Sequence, residues 1–437
     1  MTPPTPRTSA VPRPTATRGE TESACCRDFS MSRRSLLGSA AALGGTMALT
    51  QMFGDAMMQA TFAGTPGGST LVVISLRGGI DGMGVVVPHG DPGYYQARPT
   101  TAVPKSSLVC ADAMFGLHPA MASLAPYWQS GVLAAIQATG LPVANRSHFA
   151  AIEEVEDAAP GSSTRSGWIN RMIGLGATDS PFDAVQLGMD FATAAVSGDH
   201  PTLATRKLSG LQVPGLGTAT TQRYSSLATA WSQAQGPLAH GAQEAVSISK
   251  GAGATLAAMP ASSAAYPTVW NATPFADPLK SAAQLVRADL GTDVIAIDAG
   301  NWDLHTNYGT TTWGGMQSNV SGFADSLAAF LADLGDLRRR VTVVTISEFG
   351  RRVAENGSRG FDHGWGTMML VAGAGVRGGQ YYGTWPGLDT NALVEGDLKV
   401  TTDYRNVLGE IVGKRFPERS VPTLFPGLSY SPVGFMA

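Results

Sequence analysis

Short apolar runs, rich in β-branched residues and separated by helical patterns, dominate the chain from residue 70 onward. They are Leu71–Leu76, Val132–Ala138, the DAVQLG segment starting at Asp183, Asp293–Asp298, Val341–Ile346 and Thr367–Gly373. A continuous apolar run fits a strand covered on both faces, as in a parallel sheet flanked by helices. The helices are legible between the runs. In Val320–Leu334, Val320, Phe323, Leu327, Phe330, Leu331 and Leu334 share one face. The TTDYRNVLGEIVGKRF segment reads as a helix capped by Thr401 or Thr402 and ended near Pro417. The alternation predicts an α/β fold with a mostly parallel central sheet and helices on both faces.

Two regions depart from this pattern. From about residue 190 to 290 the chain is rich in Ala, Gly and Ser, with weak helical periodicity and no strand signal, which predicts a helical insertion beside the sheet. Residues 1–30 are rich in Pro, Thr and Arg and predict a disordered extension. Residues 31–63 come next, with Arg33–Arg34, Leu36–Leu37 and a mild apolar stretch to Leu49, too short and too diluted with Gly and Ala for a stable membrane span. The paired arginines followed by x-Leu-Leu resemble a twin-arginine export signal, with the TFA triplet at Thr61–Ala63 as a cleavage site and Met31 as an alternative start. Residues 64–437 are then expected to form a single domain. Export places it in the periplasm or outside the cell, with the twin-arginine translocase as a partner.

Charge and cysteine content narrow the function. The net charge of −3 gives no electrostatic basis for a nucleic-acid partner. Cys25 and Cys26 precede the signal, leaving Cys110 alone in the mature chain. The fold must stand without an internal disulfide in an oxidising compartment.

The residues just beyond the strands are chemically distinctive. Asp81 comes after the first run, Asp303 and His305 after Asp293–Asp298, Glu348 after Val341–Ile346, and Asp362 and His363 before the last run. NRSHF adds Asn145, Arg146, Ser147 and His148 ahead of a helical stretch. Ligands gather beyond the carboxyl ends of strands in open parallel sheets, so these loops should meet at one rim. Mixed carboxylates and imidazoles suit zinc, manganese or iron better than calcium. Asp81, Asp303 and Glu348 brought together would repel one another, and a divalent ion removes that conflict. Ser147 at a helix N-terminus would stand beside backbone N–H groups that favour an anion, and a metal would make its hydroxyl a nucleophile. Arg146, Arg351 and Arg352 are candidates to hold a phosphate or sulfate. Each residue alone also has a structural reading: Asp81 as a turn residue, Ser147 as a helix cap, Glu348 as an ion-pair partner of Arg351 or Arg352. His118, ahead of Pro119, is read as structural.

The order of these groups is similar to the alkaline phosphatase superfamily, which includes sulfatases. The segments LVVISLRGGIDGMGVVVPHGDPGYYQARP, FGLHPAMASLAPYW, ATGLPVANRSHF, GNWDLHTN, VTVVTISEFGRRVAENGSRGFDHGWG and VTTDYRNVLGEIV resemble a bacterial domain-of-unknown-function family whose members carry twin-arginine signals. The resemblance implies an alkaline phosphatase-like α/β fold with one or two divalent metal ions. It implies that Asp81, Ser147 and Glu348 bind one ion, and that Asp303, His305 and His363 bind the other, with Asp362 beside them. The implied activity is hydrolysis of a phosphate or sulfate ester, small or polymeric, with Ser147 as nucleophile and Arg146 and Arg351 on the substrate. The superfamily has Asp-His where this chain has Glu348-Phe349, so one imidazole ligand is missing, and His148 is the candidate to replace it by its adjacency to Ser147. The alternative is a non-catalytic exported binding protein with at most one metal, for which Phe349 speaks.

Overall fold

The computed structural model describes residues 67–161, 166–211, 220–259 and 262–437. The extension and the export signal expected over residues 1–63 lie outside the described residues. The core is a nine-stranded sheet. Its strands are β1 (Thr70–Ser75), β4 (Leu133–Gly140), β5 (Ala184–Leu187), β6 (Leu203–Thr205), β7 (Val294–Asp298), β8 (Val341–Ile346), β9 (Thr367–Gly373), β10 (Tyr381–Tyr382) and β11 (Thr402–Asp403). The pair β2 (Val86–Val87) and β3 (Gly116–Leu117) forms a small antiparallel ladder.

The sheet order is β10-β4-β9-β8-β1-β7-β5-β6, with β11 also on β4. From β8 to β6 all pairings are parallel, and β9 runs antiparallel to both β8 and β4. The sheet is therefore mostly parallel, as the apolar runs predict. Alternation along each central strand feeds two cores. Val72 and Ile74 of β1, Ile295 and Ile297 of β7 and Val343 of β8 point to one face, while Leu71, Val73, Val294, Ala296 and Val344 point to the other.

Helices cover both faces. The principal helices are α1 (His148–Asp157), α2 (Trp168–Gly174), α3 (Thr220–Trp231), α4 (Pro237–Ala258), α5 (Thr273–Ala288), α6 (Gly315–Leu334) and α7 (Tyr404–Arg415). The first face packs on α5 and α6 through Phe275, Leu279, Phe323 and Phe330. The second packs on α1, α2 and α7 through Val155, Ile169, Val407 and Ile411.

Three details depart from the sequence reading. The 190–290 region contributes β6, an edge strand of three residues that is too short to leave a detectable period. Its last helix, α5, belongs to the main core, whereas α3 and α4 share a small cluster around Tyr224, Ala242, Ala245 and Val246. The cap of α7 is Asp403, which accepts from Arg405 N–H, because Thr402 is taken up in pairing with Thr139 of β4. Among the described residues no helix is long and apolar enough to cross a membrane.

This topology explains how distant residues meet. Strands β1, β4, β7 and β8 end at a common rim, so the loops after them converge there. Because β9 is reversed, the segment entering it arrives at that same rim, and His363 is delivered four residues ahead of Thr367.

Candidate metal centre

Four side chains meet at the rim. Their closest atoms are Nε2 of His148, His305 and His363 and Oδ1 of Asp303. His363 Nε2 lies 3.0 Å from His148 Nε2 and 3.0 Å from His305 Nε2. Asp303 Oδ1 is 3.1 Å from His305 Nε2, 3.4 Å from His363 Nε2 and 3.7 Å from His148 Nε2. The ligand atoms of His148, Asp303 and His363 all lie within 4.8 Å of one another.

The other nitrogen of each imidazole explains why these atoms face inward. His148 Nδ1 donates to Glu348 Oε1 at 2.8 Å, His305 Nδ1 to Asp362 Oδ1 at 3.1 Å, and His363 Nδ1 to the Arg146 carbonyl at 2.9 Å. A carbonyl or ionised carboxylate only accepts, so the proton of each neutral ring sits on Nδ1 and each Nε2 presents a lone pair. Lone pairs 3.0 Å apart repel unless a proton or a cation lies between them. Burial lowers the His363 pKa, and the charge of Arg351 lowers it further, so a proton on His363 itself is disfavoured. Donors about 2.0–2.1 Å from a zinc-sized ion lie ~3.3 Å apart along a tetrahedral edge, close to the spacings seen here. The donor set fits a transition-metal ion.

The surrounding groups fix the donors. Glu348 is buried, and its Oε1 also accepts from Gly78 N–H at 2.8 Å. Burial alone would raise its pKa, but the hydrogen bonds from His148 and Gly78 hold it below the usual range. Asp303 behaves likewise: against burial, the hydrogen bond and charge of Arg351 keep it low. The repulsion between carboxylates expected from the sequence is thus relieved by a separate donor for each. Phe349, next to Glu348, packs against both His148 and His363 with ring centroids 4.7 and 4.9 Å away. Gly78 and Gly79 allow the loop after β1 to approach closely. Both have positive φ, and a Cβ would lie 2.6 Å from Asp303 N at Gly78 and 2.4 Å from the Phe349 ring at Gly79.

Several expected site residues are placed differently. Asp81 does not join the centre. Its carboxylate is buried and accepts from Arg98 Nη1 at 2.6 Å, Arg98 Nη2 at 2.9 Å and Tyr308 Oη at 2.5 Å. Glu348 and Asp362 act on the rings through Nδ1, while their own oxygens are absent from the inner group. Arg146 has its guanidinium on Asp397 and Glu395. Arg351 is buried as a clamp, donating to the carbonyls of Gly78, Gly79 and Phe361 and to Asp303 Oδ1 at 2.5 Å. Arg352 donates to the Glu395 carbonyl. Ser147 is exposed at the N-cap of α1, and its hydroxyl makes no capping bond.

The sequence reading missed Arg98, Tyr308, Asp397 and Asn356. Asn356 Nδ2 donates to the His305 carbonyl at 3.1 Å and to Asp362 Oδ1 at 3.0 Å, and so orients that ring and its partner together. The Asn-Gly pair Asn356-Gly357 signals a turn, but nothing local signals its contact with His305.

Similar solved structures cover most of the chain at low identity. The PsFucS1 sulfatase from Pseudoalteromonas sp. is 11% identical, covering 91% of this chain and 75% of its own, with a TM-score of 0.37. The C-terminal periplasmic domain of EcEptC from Escherichia coli, in complex with Zn, is 10% identical over 73% and 76%, with a TM-score of 0.33. A protein in the alkaline phosphatase superfamily from Vibrio parahaemolyticus is 10% identical over 80% and 71%, with a TM-score of 0.32. No curated protein matches the chain. The family described as "Protein of unknown function (DUF1501)" matches residues 109–405, and the chain belongs to that family.

Proposed function

We propose that this protein is an exported, metal-dependent hydrolase of phosphate or sulfate esters, small or polymeric. The observation that carries the reading is the meeting of ligand atoms of His148, Asp303 and His363 within 4.8 Å of one another at the sheet rim, with His305 Nε2 3.0 Å from His363 Nε2 and 3.1 Å from Asp303 Oδ1. His148, Asp303, His305 and His363 are the proposed ligands, and zinc, iron or manganese the proposed ions, with one ion at this centre. A divalent ion there supplies polarisation of an ester oxygen and lowers the pKa of an adjacent hydroxyl or water.

The chain's own groups supply the rest. Asp303 is half exposed, with 46% of its side chain open, so a substrate can reach the centre from solvent. Ser147 offers an exposed hydroxyl one residue ahead of His148, at the positive end of α1. The first-turn N–H groups of α1 are not capped by that hydroxyl and favour an anionic ester group. Arg351 holds Asp303 in place and ties the loops after β1 and β7 together. The Arg33–Arg34 motif supports export through the twin-arginine translocase.

A second reading is a non-catalytic exported protein that binds one metal. It is favoured by the engagement of Arg146, Arg351 and Arg352 with protein groups, which leaves anion recognition to the ion and the helix N-terminus. The deciding experiment assays metal-loaded protein on an aryl phosphate and an aryl sulfate beside Ser147→Ala and His363→Ala. Turnover lost in both variants supports the hydrolase. Absence of turnover in the metal-loaded parent supports the second reading.

A further inference from the structure

Asp397 lies outside every segment that marks the site, yet it is 0% exposed. Its Oδ2 accepts from Arg146 Nε at 2.8 Å and Arg146 Nη2 at 2.6 Å. Its Oδ1 has no hydrogen-bond partner among the described residues and stands 3.7 Å from Arg352 Nε. A buried carboxylate with one oxygen unsatisfied is costly, and its retention calls for a reason.

The surroundings supply one. The Asp397 segment is pinned to the chain just beyond Arg351: Asp397 bridges Arg352, and Val353 N–H donates to the Gly396 carbonyl. Arg351 itself holds Asp303. On the other side, Arg146 presents its main-chain carbonyl to His363 Nδ1 and runs directly into Ser147 and His148. Anchoring the Arg146 side chain therefore fixes the acceptor that orients one donor and the start of the helix that carries another.

We propose that Asp397 is a positioning residue for the metal centre, acting through Arg146 to set the His363 ring and the approach of His148. This rests on the reading that the centre holds a divalent cation. Arg146 is then a strut of the centre instead of a substrate clamp.

The test uses the purified full chain, stripped of metal and titrated with zinc and, separately, with cobalt. Asp397→Asn keeps the shape and removes the charge. The zinc Kd should rise about 10–100-fold, the range typical of lost outer-shell partners. The visible absorption bands of the cobalt form should shift as the donor geometry loosens. Arg146→Ala should do the same, and Arg146→Ala/Asp397→Asn should weaken zinc no more than either single change, since both break one link. A parental zinc Kd and cobalt spectrum in Asp397→Asn would overturn the proposal even if the protein melts at lower temperature, because the pair would then only fasten a loop. A parent that binds zinc but turns over no ester would remove the hydrolase reading and leave this comparison readable.

Discussion

His148 and Glu348 are 200 residues apart in the chain and 2.8 Å apart in space, with the ring Nδ1 donating to the carboxylate. That contact makes Glu348 the residue that sets the tautomer of His148 and raises the basicity of its Nε2. Glu348→Gln keeps an acceptor of similar shape but removes its charge. The expected result is a zinc Kd about 10–100-fold weaker at unchanged stoichiometry, measured by competition with a chromogenic chelator. An unchanged Kd would mean that the charge of Glu348 does not tune the ring.

The three histidines should not be equivalent. His363 stands between the other two, 3.0 Å from each Nε2, so His363→Ala removes the donor shared by both contacts. It should abolish tight metal binding. His305→Ala leaves His148, Asp303 and His363 within 4.8 Å of one another, and should still bind about one ion per chain, more weakly. Elemental analysis after dialysis checks both. Equal loss in His305→Ala and His363→Ala would show that His305 is needed as much as His363.

Much of the sheet was legible because its strands are buried on both faces and so leave continuous apolar runs. The direction of β9 was not, since a run such as TMMLVAG looks the same parallel or antiparallel. Asp303 and His305 were legible as polar groups just after a core strand and His363 as one just ahead of another, whereas His148 stood out only by its place beside Ser147. Which acid stands at the Nε2 atoms and which holds a ring was not, because a carboxylate serves either purpose and only its distance from Nε2 or Nδ1 tells them apart. Glu348 and Asp362 illustrate this. Arg98, Asn356 and Asp397 act on residues 17 to 251 positions away, and no local pattern marks such contacts.

Asp81 separates the structural and ligand roles most cleanly. Arg98 is 0% exposed, bonds both oxygens of Asp81, and lies 4.1 Å above the Phe361 ring. Asp81→Asn leaves that guanidinium buried without a full counter-charge. Breaking a buried pair in this way costs about 3–5 kcal/mol. The expected outcome is a large fall in stability to urea with metal content per folded chain unchanged. Metal lost from a chain that remains as stable as the parent would instead make Asp81 a ligand.

His118 should govern part of the acid sensitivity. It is buried, its Nδ1 accepts from Ala120 N–H at 3.1 Å to cap the following turn, and burial lowers its pKa from 6.5 to about 4 despite the nearby charge of Asp81. Protonation would both charge a buried ring and remove the lone pair that caps the turn. The unfolded chain takes up this proton as pH falls through 6.5, whereas the folded chain resists until about 4. The associated stability is therefore present above the unfolded value and lost on going down through that window, by on the order of 3 kcal/mol. In His118→Asn an amide oxygen can take over the cap without titrating. Urea unfolding from about pH 7 down to about pH 4 should show a shallower acid-side decline in the variant than in the parent, and the difference removes contributions that both share. Parallel curves would assign the acid sensitivity to other groups.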